Sequence, residues 1–114
     1  MKKSKSIIAL NRKAKFNYQI IDQIEVGIVL TGAEVKSIRK GGVSLDNSYA
    51  VDKKGEFWIN NLYVDLKNYE NSTETANNTR SKKLLLNKTE IYKINMKVKQ
   101  NGLTMIPLDL HFNK

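Results

Sequence analysis

The chain has no cysteine, one proline and one histidine, and no acidic residue precedes Asp22. Each gap excludes something. Without cysteine there is no disulfide framework and no thiol nucleophile, and one histidine cannot complete a zinc site of the usual His/Cys kind. The acids Glu25, Glu34, Asp46 and Glu56 show no metal-binding spacing. Gly41-Gly42 is too short, and wrongly placed after a helix, to cradle a phosphate. His111, next to Phe112, is expected to be structural or exposed rather than catalytic. No apolar run approaches a membrane span, and the basic N-terminus is not followed by a signal-peptide core. The expectation is a cytoplasmic, non-enzymatic monomer with no cofactor, no metal and no small-molecule substrate.

What is abundant is positive charge. Twenty Lys and Arg against eleven Asp and Glu leave a net charge of +9 over 114 residues, with a pI near 9.8. Such a balance suits a polyanionic partner, RNA or an acidic membrane, and charge by itself does not choose between them. The length predicts a single domain, 1–114, with a modest core burying roughly 60–70% of the unfolded chain's surface.

The densest pattern runs from Glu25 to Arg39. Ile28 and Leu30 share one strand face by the two-residue period, with Val29 on the other. Thr31 and Glu34 stand at capping-box spacing, so each side chain can satisfy the other's backbone N–H. Val35 and Ile38 then fall on one face of a helix whose Lys36 and Arg39 point elsewhere, and Gly41 can close it in a left-handed conformation.

Around this block, residues 1–10 read as a flexible basic arm. Alternation from Phe16 through Ile20 predicts a strand directly after Arg12 and Lys13. Val43, Leu45, Tyr49 and Val51 predict a half-buried strand, Asp52 to Gly55 a turn, and Glu56 to Val64 a strand apolar on both faces. Residues 65–83 have almost nothing to bury and read as a long polar loop, functional or disordered, with Arg80, Lys82 and Lys83 at its end. Asn87 and Glu90 frame a second helix start, Ile91, Ile94 and Val98 mark its buried face, and Gly102 ends it. Leu103 to Phe112 reads as a last strand that Pro107 interrupts, as at an edge or a bulge. Trp58, Tyr49 and Tyr63 are possible base-stacking residues, with core positions the favoured reading for each. Periodicity yields a β-rich α+β domain, and the count of short strands and helices suggests an OB-like barrel.

The run Glu25-Val26-Gly27-Ile28-Val29-Leu30-Thr31-Gly32-Ala33-Glu34-Val35-Lys36-Ser37-Ile38-Arg39 resembles the signature of the SsrA-binding proteins (SmpB). So do Asn11-Arg12-Lys13-Ala14 before Tyr18, Ser48-Tyr49-Ala50 followed by Gly55-Glu56 and Trp58, the run Arg80 to Leu86, and Gly102-Leu103-Thr104 leading to Pro107-Leu108. The resemblance implies an OB-like antiparallel β-barrel with two or three short helices. It also implies partnership with transfer-messenger RNA and the ribosome, in the rescue of stalled ribosomes by trans-translation. By position it carries three RNA contacts to this chain: Glu25, Leu85 and Asn87. Their plain alternatives are a polar strand residue, a core leucine (favoured on sequence alone) and a helix cap. Arg12, Lys13, Lys36, Arg39, Arg80, Lys82 and Lys83 would supply phosphate contacts, which position without reading sequence. A small OB-like protein held on ribosomal RNA is the alternative function, and a metal-dependent nuclease ranks third.

Two positions depart from the family's pattern: Asn78 stands where a proline is usual, and Lys82 where the family has arginine, which keeps the charge and loses the bidentate fork. After His111-Phe112-Asn113-Lys114 the family continues with a further strand, a glycine-lysine-lysine motif and a long basic tail. On this comparison the chain is expected to read as truncated, with an exposed strand edge. A fragment, a frameshift and a natural reduction stay equally open. The expectation is that it binds the tRNA-like domain but does not support full rescue unless the tail comes from elsewhere.

Overall fold

A computed structural model describes residues 5–68 and 77–113. Along them run β1 (Lys5–Leu10), α1 (Arg12–Asn17), β2 (Gly27–Ile28), α2 (Gly32–Arg39), β3 (Val43–Ser44) and β4 (Tyr49–Lys53). Then come β5 (Glu56–Asn60), β6 (Tyr63–Val64), β7 (Lys82–Leu85), α3 (Lys88–Asn101) and β8 (Asp109–Asn113). All strand pairs are antiparallel. β2, β7, β5 and β4 form one sheet in that order, and β1–β8 and β3–β6 form two-stranded ribbons. A single bridge from Ala50 to Met105 ties β4 to the approach of β8.

The α+β, mainly antiparallel class is as expected, but among the described residues the hydrogen bonding does not close into a barrel. The reason is local. Asn47 and Asn61 both adopt positive φ, and each breaks a predicted continuous strand in two. Val43 to Val51 becomes β3 and β4, and Glu56 to Val64 becomes β5 and β6. Short polar side chains tolerate this left-handed conformation better than the β-branched residues around them.

The core is a cluster of Ile38, Leu45, Ile59, Leu62, Val64 and Leu66, against which Ile28, Leu30, Leu84, Leu110 and Phe112 pack. Leu66 corrects the expected loop. It is buried, and its N–H donates to the Asn78 side chain at 3.1 Å while Val64 N–H donates to the Asn78 carbonyl at 2.8 Å. Asn78 thus holds the two ends of the 65–83 segment together. Lys82 and Lys83, expected at the loop's end, lie in β7. The middle of that segment, residues 69–76, lies outside the described residues.

The expected arm differs as well. Met1 to Ser4 lie outside the described residues, but Lys5 to Leu10 form β1 on β8, with an irregularity between Ile7 and Ala9. The strand predicted from Phe16 to Ile20 is instead the end of α1 followed by chain without regular structure. Alternation makes a strand only where one face finds cover, and Phe16 is 91% exposed. α1 is held through Asn11, whose N–H donates to Leu108 O at 2.8 Å and whose Nδ2 donates to Pro107 O at 3.0 Å.

Both predicted capping boxes form. Thr31 accepts from Glu34 N–H and gives its own N–H to the Glu34 carboxylate at 2.8 Å. Asn87 and Glu90 make the same exchange at 2.8 and 3.0 Å, and α3 closes on Gly102 with φ 62°.

The β4–β5 hairpin turns on Lys54 and Gly55, both at positive φ, 55° and 81°. A two-residue turn of this hand favours Asn-Gly. Lys54→Asn is expected to stabilise the chain by about 0.5–1 kcal/mol, since a lysine in the left-handed region carries a cost an asparagine largely escapes. Chemical denaturation would show it as a higher midpoint at an unchanged m-value.

Candidate nucleic-acid interface

β2 and β7 pair with Gly27 opposite Leu85 and Ile28 opposite Leu84. That register organises the predicted contacts. Glu25 lies two residues before Gly27, and Asn87 lies two residues after Leu85, so both leave the same end of one strand pair. Leu85 is 54% exposed, although sequence alone favoured a core position. The period of two explains it: Lys82 and Leu84 face inward, and Lys83 and Leu85 outward. Gly27 lets the leucine sit there. A Cβ on it would come within 3.2 Å of Leu85 Cδ1, so a larger residue would push the leucine off its present position. Asn87 is exposed, with Oδ1 occupied by Glu90 N–H at 2.8 Å. What it can offer a ligand is its Nδ2 donor.

Glu25 is half-exposed, and its Oε2 meets His111 Nε2 at 2.8 Å. The other ring nitrogen, Nδ1, meets Asp109 Oδ1 at 2.6 Å. His111 is therefore structural, a link from β8 to the irregular chain ahead of β2. Glu25 and His111 line an open cleft with Ile28, Val35, Leu110 and Phe112. Arg39 lies over the Phe112 ring, 5.3 Å from its centre, which brings that cation to the same region as Glu25.

The seven predicted phosphate contacts fall into two sets. Arg12, Lys13, Lys36 and Arg39 are exposed on α1 and α2, and among the described residues none has a carboxylate partner. The three cations at the end of the polar segment do. Arg80 donates from Nη2 and Nε to the Glu34 carboxylate at 2.6 and 3.1 Å. Lys83 pairs with Glu56 on the sheet surface. Lys82 is wholly buried, with Nζ 3.6 Å from Glu34 Oε2 and donating to Arg80 O at 2.8 Å. A phosphate cannot reach that ammonium without opening the structure, so as placed here Lys82 supports β7 from inside.

Sequence reasoning gave Glu34 only its cap and missed this ion cluster. The signal was faint: a carboxylate on a helix and two cations 46 and 48 positions later, joined only by the fold. Burial pushes the Glu34 carboxyl upward, but Arg80, the Thr31 N–H and Lys82 together outweigh it and hold it below its ordinary range. Burial, helped by the Arg80 charge, pulls the Lys82 ammonium below its ordinary value against the attraction of Glu34.

Tyr49 and Tyr63 are 39% and 41% exposed, so the preference for core positions fails for both; Trp58 is half-buried. Among the described residues no cluster of His, Cys, Asp or Glu is arranged to hold a metal ion, and no helix is long and apolar enough to cross a membrane.

Against known proteins, residues 8–114 match the family model described as SmpB protein. An SsrA-binding protein of Ehrlichia canis is 46% identical over 108 residues, covering 95% of this chain and 72% of the relative. One from Chlorobaculum tepidum is 48% identical over 105 residues, covering 91% and 66%. Among solved structures, a chain from "tmRNA-SmpB: a journey to the center of the bacterial ribosome" superposes with a TM-score of 0.71 at 40% identity, covering 92% of this chain and 73% of that one.

Proposed function

The chain belongs to the SmpB family of SsrA-binding proteins, and on that premise we propose that it is an RNA-binding adaptor. It docks on the tRNA-like domain of transfer-messenger RNA and helps bring it to stalled ribosomes for trans-translation. The relatives are named for binding SsrA RNA, and the similar solved chain comes from a study of tmRNA-SmpB in the ribosome. The work is binding, not catalysis, and its compartment is the cytoplasm, where ribosomes act.

One observation carries the reading: Glu25, Leu85 and Asn87 sit exposed at one end of the β2–β7 pair. Together they offer an acceptor, an apolar surface and a donor. That set fits an unstacked loop base and its neighbouring 2′-hydroxyls, the features by which folded RNA is told from a plain duplex. An acid among so many cations is unhelpful against phosphate and useful against base N–H groups. Arg12, Lys13, Lys36 and Arg39 then supply the sequence-independent attraction. Lys83 can join them by exchanging Glu56 for phosphate, whereas Arg80 and Lys82 hold the site from behind.

The test is a titration of the 114-residue chain against the tRNA-like domain at physiological salt, with a tRNA and an unrelated hairpin as competitors. Leu85→Ala is expected to weaken binding by roughly tenfold, since covering an exposed leucine side chain is worth about 1.5–3 kcal/mol when complete and Leu85 starts half-covered. Because Leu85 is largely solvent-exposed, its thermal midpoint should barely move. Equal, weak binding to all three RNAs would refute the adaptor reading.

A further inference from the structure

We propose that His111 is the positioning residue for Glu25: as an imidazolium clamped between Glu25 and Asp109 it fixes the carboxylate for RNA, and binding weakens once the ring is neutral. The inference rests on the reading of Glu25 as an RNA contact and adds to it a group that holds that contact, together with a pH dependence.

The geometry requires the charge. Both ring nitrogens lie at hydrogen-bond distance from a carboxylate oxygen, 2.8 Å to Glu25 and 2.6 Å to Asp109. A neutral imidazole has one N–H and one lone pair, so it can satisfy one of these carboxylates and must repel the other. Only the doubly protonated ring makes both contacts. The shorter bond goes to Asp109, two residues away on the same strand, and Glu25 is the partner more easily lost because it comes from irregular chain.

The surroundings keep the pair intact. The His111 side chain is 13% exposed, whereas that of Glu25 is 52% exposed, so the buried ring anchors a carboxylate that still reaches solvent. The charged groups acting on the ring are Asp109 from β8 and Glu25 from the chain ahead of β2. β1 sets Ile7 opposite it in register, and its irregularity falls at the step from Leu110 to His111, where such a break re-aims side chains. From α2, the cleft presents Val35 and Ile38, and Arg39 lies over the neighbouring Phe112 rather than over His111. Asp109 first, and Glu25 second, raise the ring's pKa above its ordinary 6.5 against a smaller effect of burial.

The sign follows. The clamp is complete below about pH 6.5 and is released as pH rises through the raised value. Releasing it removes the His111 contact that orients the Glu25 carboxylate, and apparent affinity falls by the fraction still in the binding orientation, about three- to tenfold. Because His111 is the only histidine in the chain, its ring resonances report this titration without assignment.

Two measurements test it. The first follows the His111 ring by NMR from pH 5 to 9 in the free protein and in Glu25→Gln. The midpoint is expected above 6.5 and lower in the variant, and an equal midpoint in both would overturn the clamp. The second measures affinity for the tRNA-like domain across the same pH range, in the parent chain and in His111→Gln. The parent should lose three- to tenfold from low to high pH while His111→Gln stays flat at the weaker level. Selective binding with parallel pH profiles, or tighter binding by His111→Gln, would overturn the proposal and leave the adaptor function standing. Binding that is unselective at every pH would instead remove the adaptor reading.

Discussion

Glu34→Gln is expected to destabilise the chain by about 3–5 kcal/mol, the cost of leaving a buried charge without its partner. Glu34 is 1% exposed and Lys82 is fully buried. With the carboxylate gone, the Lys82 ammonium keeps only the carbonyl oxygens of Arg80 and Leu62, at 2.8 and 3.4 Å. The glutamine amide oxygen can still accept from Thr31 N–H and Arg80 Nη2, but its NH2 group cannot accept from Arg80 Nε and faces the Lys82 ammonium. For a domain of this size the loss lowers Tm by roughly 10–20 °C. Glutamine fills nearly the same volume, so a cavity plays no part in the result.

The companion variants separate charge from packing. Lys82→Met is expected to be much milder than Glu34→Gln, because the carboxylate keeps both Arg80 bonds and the Thr31 N–H while a costly buried ammonium disappears. Glu34→Gln combined with Lys82→Met should recover most of the loss, since the uncompensated charge is then absent. Acid should imitate the single variant. With the Glu34 pKa lowered on folding, its contribution is intact above the ordinary value of 4.5 and is lost as pH falls through the folded value. A Glu34→Gln chain within about 1 kcal/mol of the parent would mean that water reaches Lys82 and that the cluster is not the clasp between α2 and β7.

That clasp also marks the boundary of what the sequence makes legible. Features written within four residues of one another are readable: both capping boxes and the closing glycines Gly41 and Gly102. The face of α3 is legible only in direction, since Ile91, Ile94 and Val98 are half-buried and the helix buries no residue fully. Features that depend on register are not. Nothing in Arg80-Ser81-Lys82-Lys83-Leu84-Leu85 says which lysine of the pair turns inward, and shifting β7 by one residue would exchange them. The same shift would exchange Leu84 for Leu85, so an exposed leucine and a buried lysine are one fact seen twice. Phe16 to Ile20 shows the opposite failure. Its alternation is genuine, but among the described residues no strand pairs with it. The Glu25 partner of His111 was invisible for a third reason, since it lies 86 residues away and the contact needs β8 and the chain ahead of β2 to be side by side.

Replacing Arg12, Lys13, Lys36 and Arg39 together by glutamine is expected to weaken RNA binding at 0.15 M salt by about a thousandfold. Each cation that neutralises a phosphate contributes roughly 0.9 to the slope of log affinity against log salt, so four contribute about 3.6. Extrapolated from molar salt, where counterion release no longer helps, to 0.15 M, that slope amounts to about three powers of ten. The fold should tolerate the change. All four are exposed on short helices without carboxylate partners among the described residues, and only Arg39 gives up a further contact, with the Phe112 ring. The ion-paired set makes the control. Lys83→Gln removes a cation already engaged by Glu56 and should lower the slope by well under the roughly 0.9 expected of an unpaired cation. Binding measured from 0.05 to 0.5 M salt distinguishes the two sets directly. A quadruple variant whose slope equals that of the parent would mean that these helices face away from the RNA, and that the phosphates are met by cations on other elements.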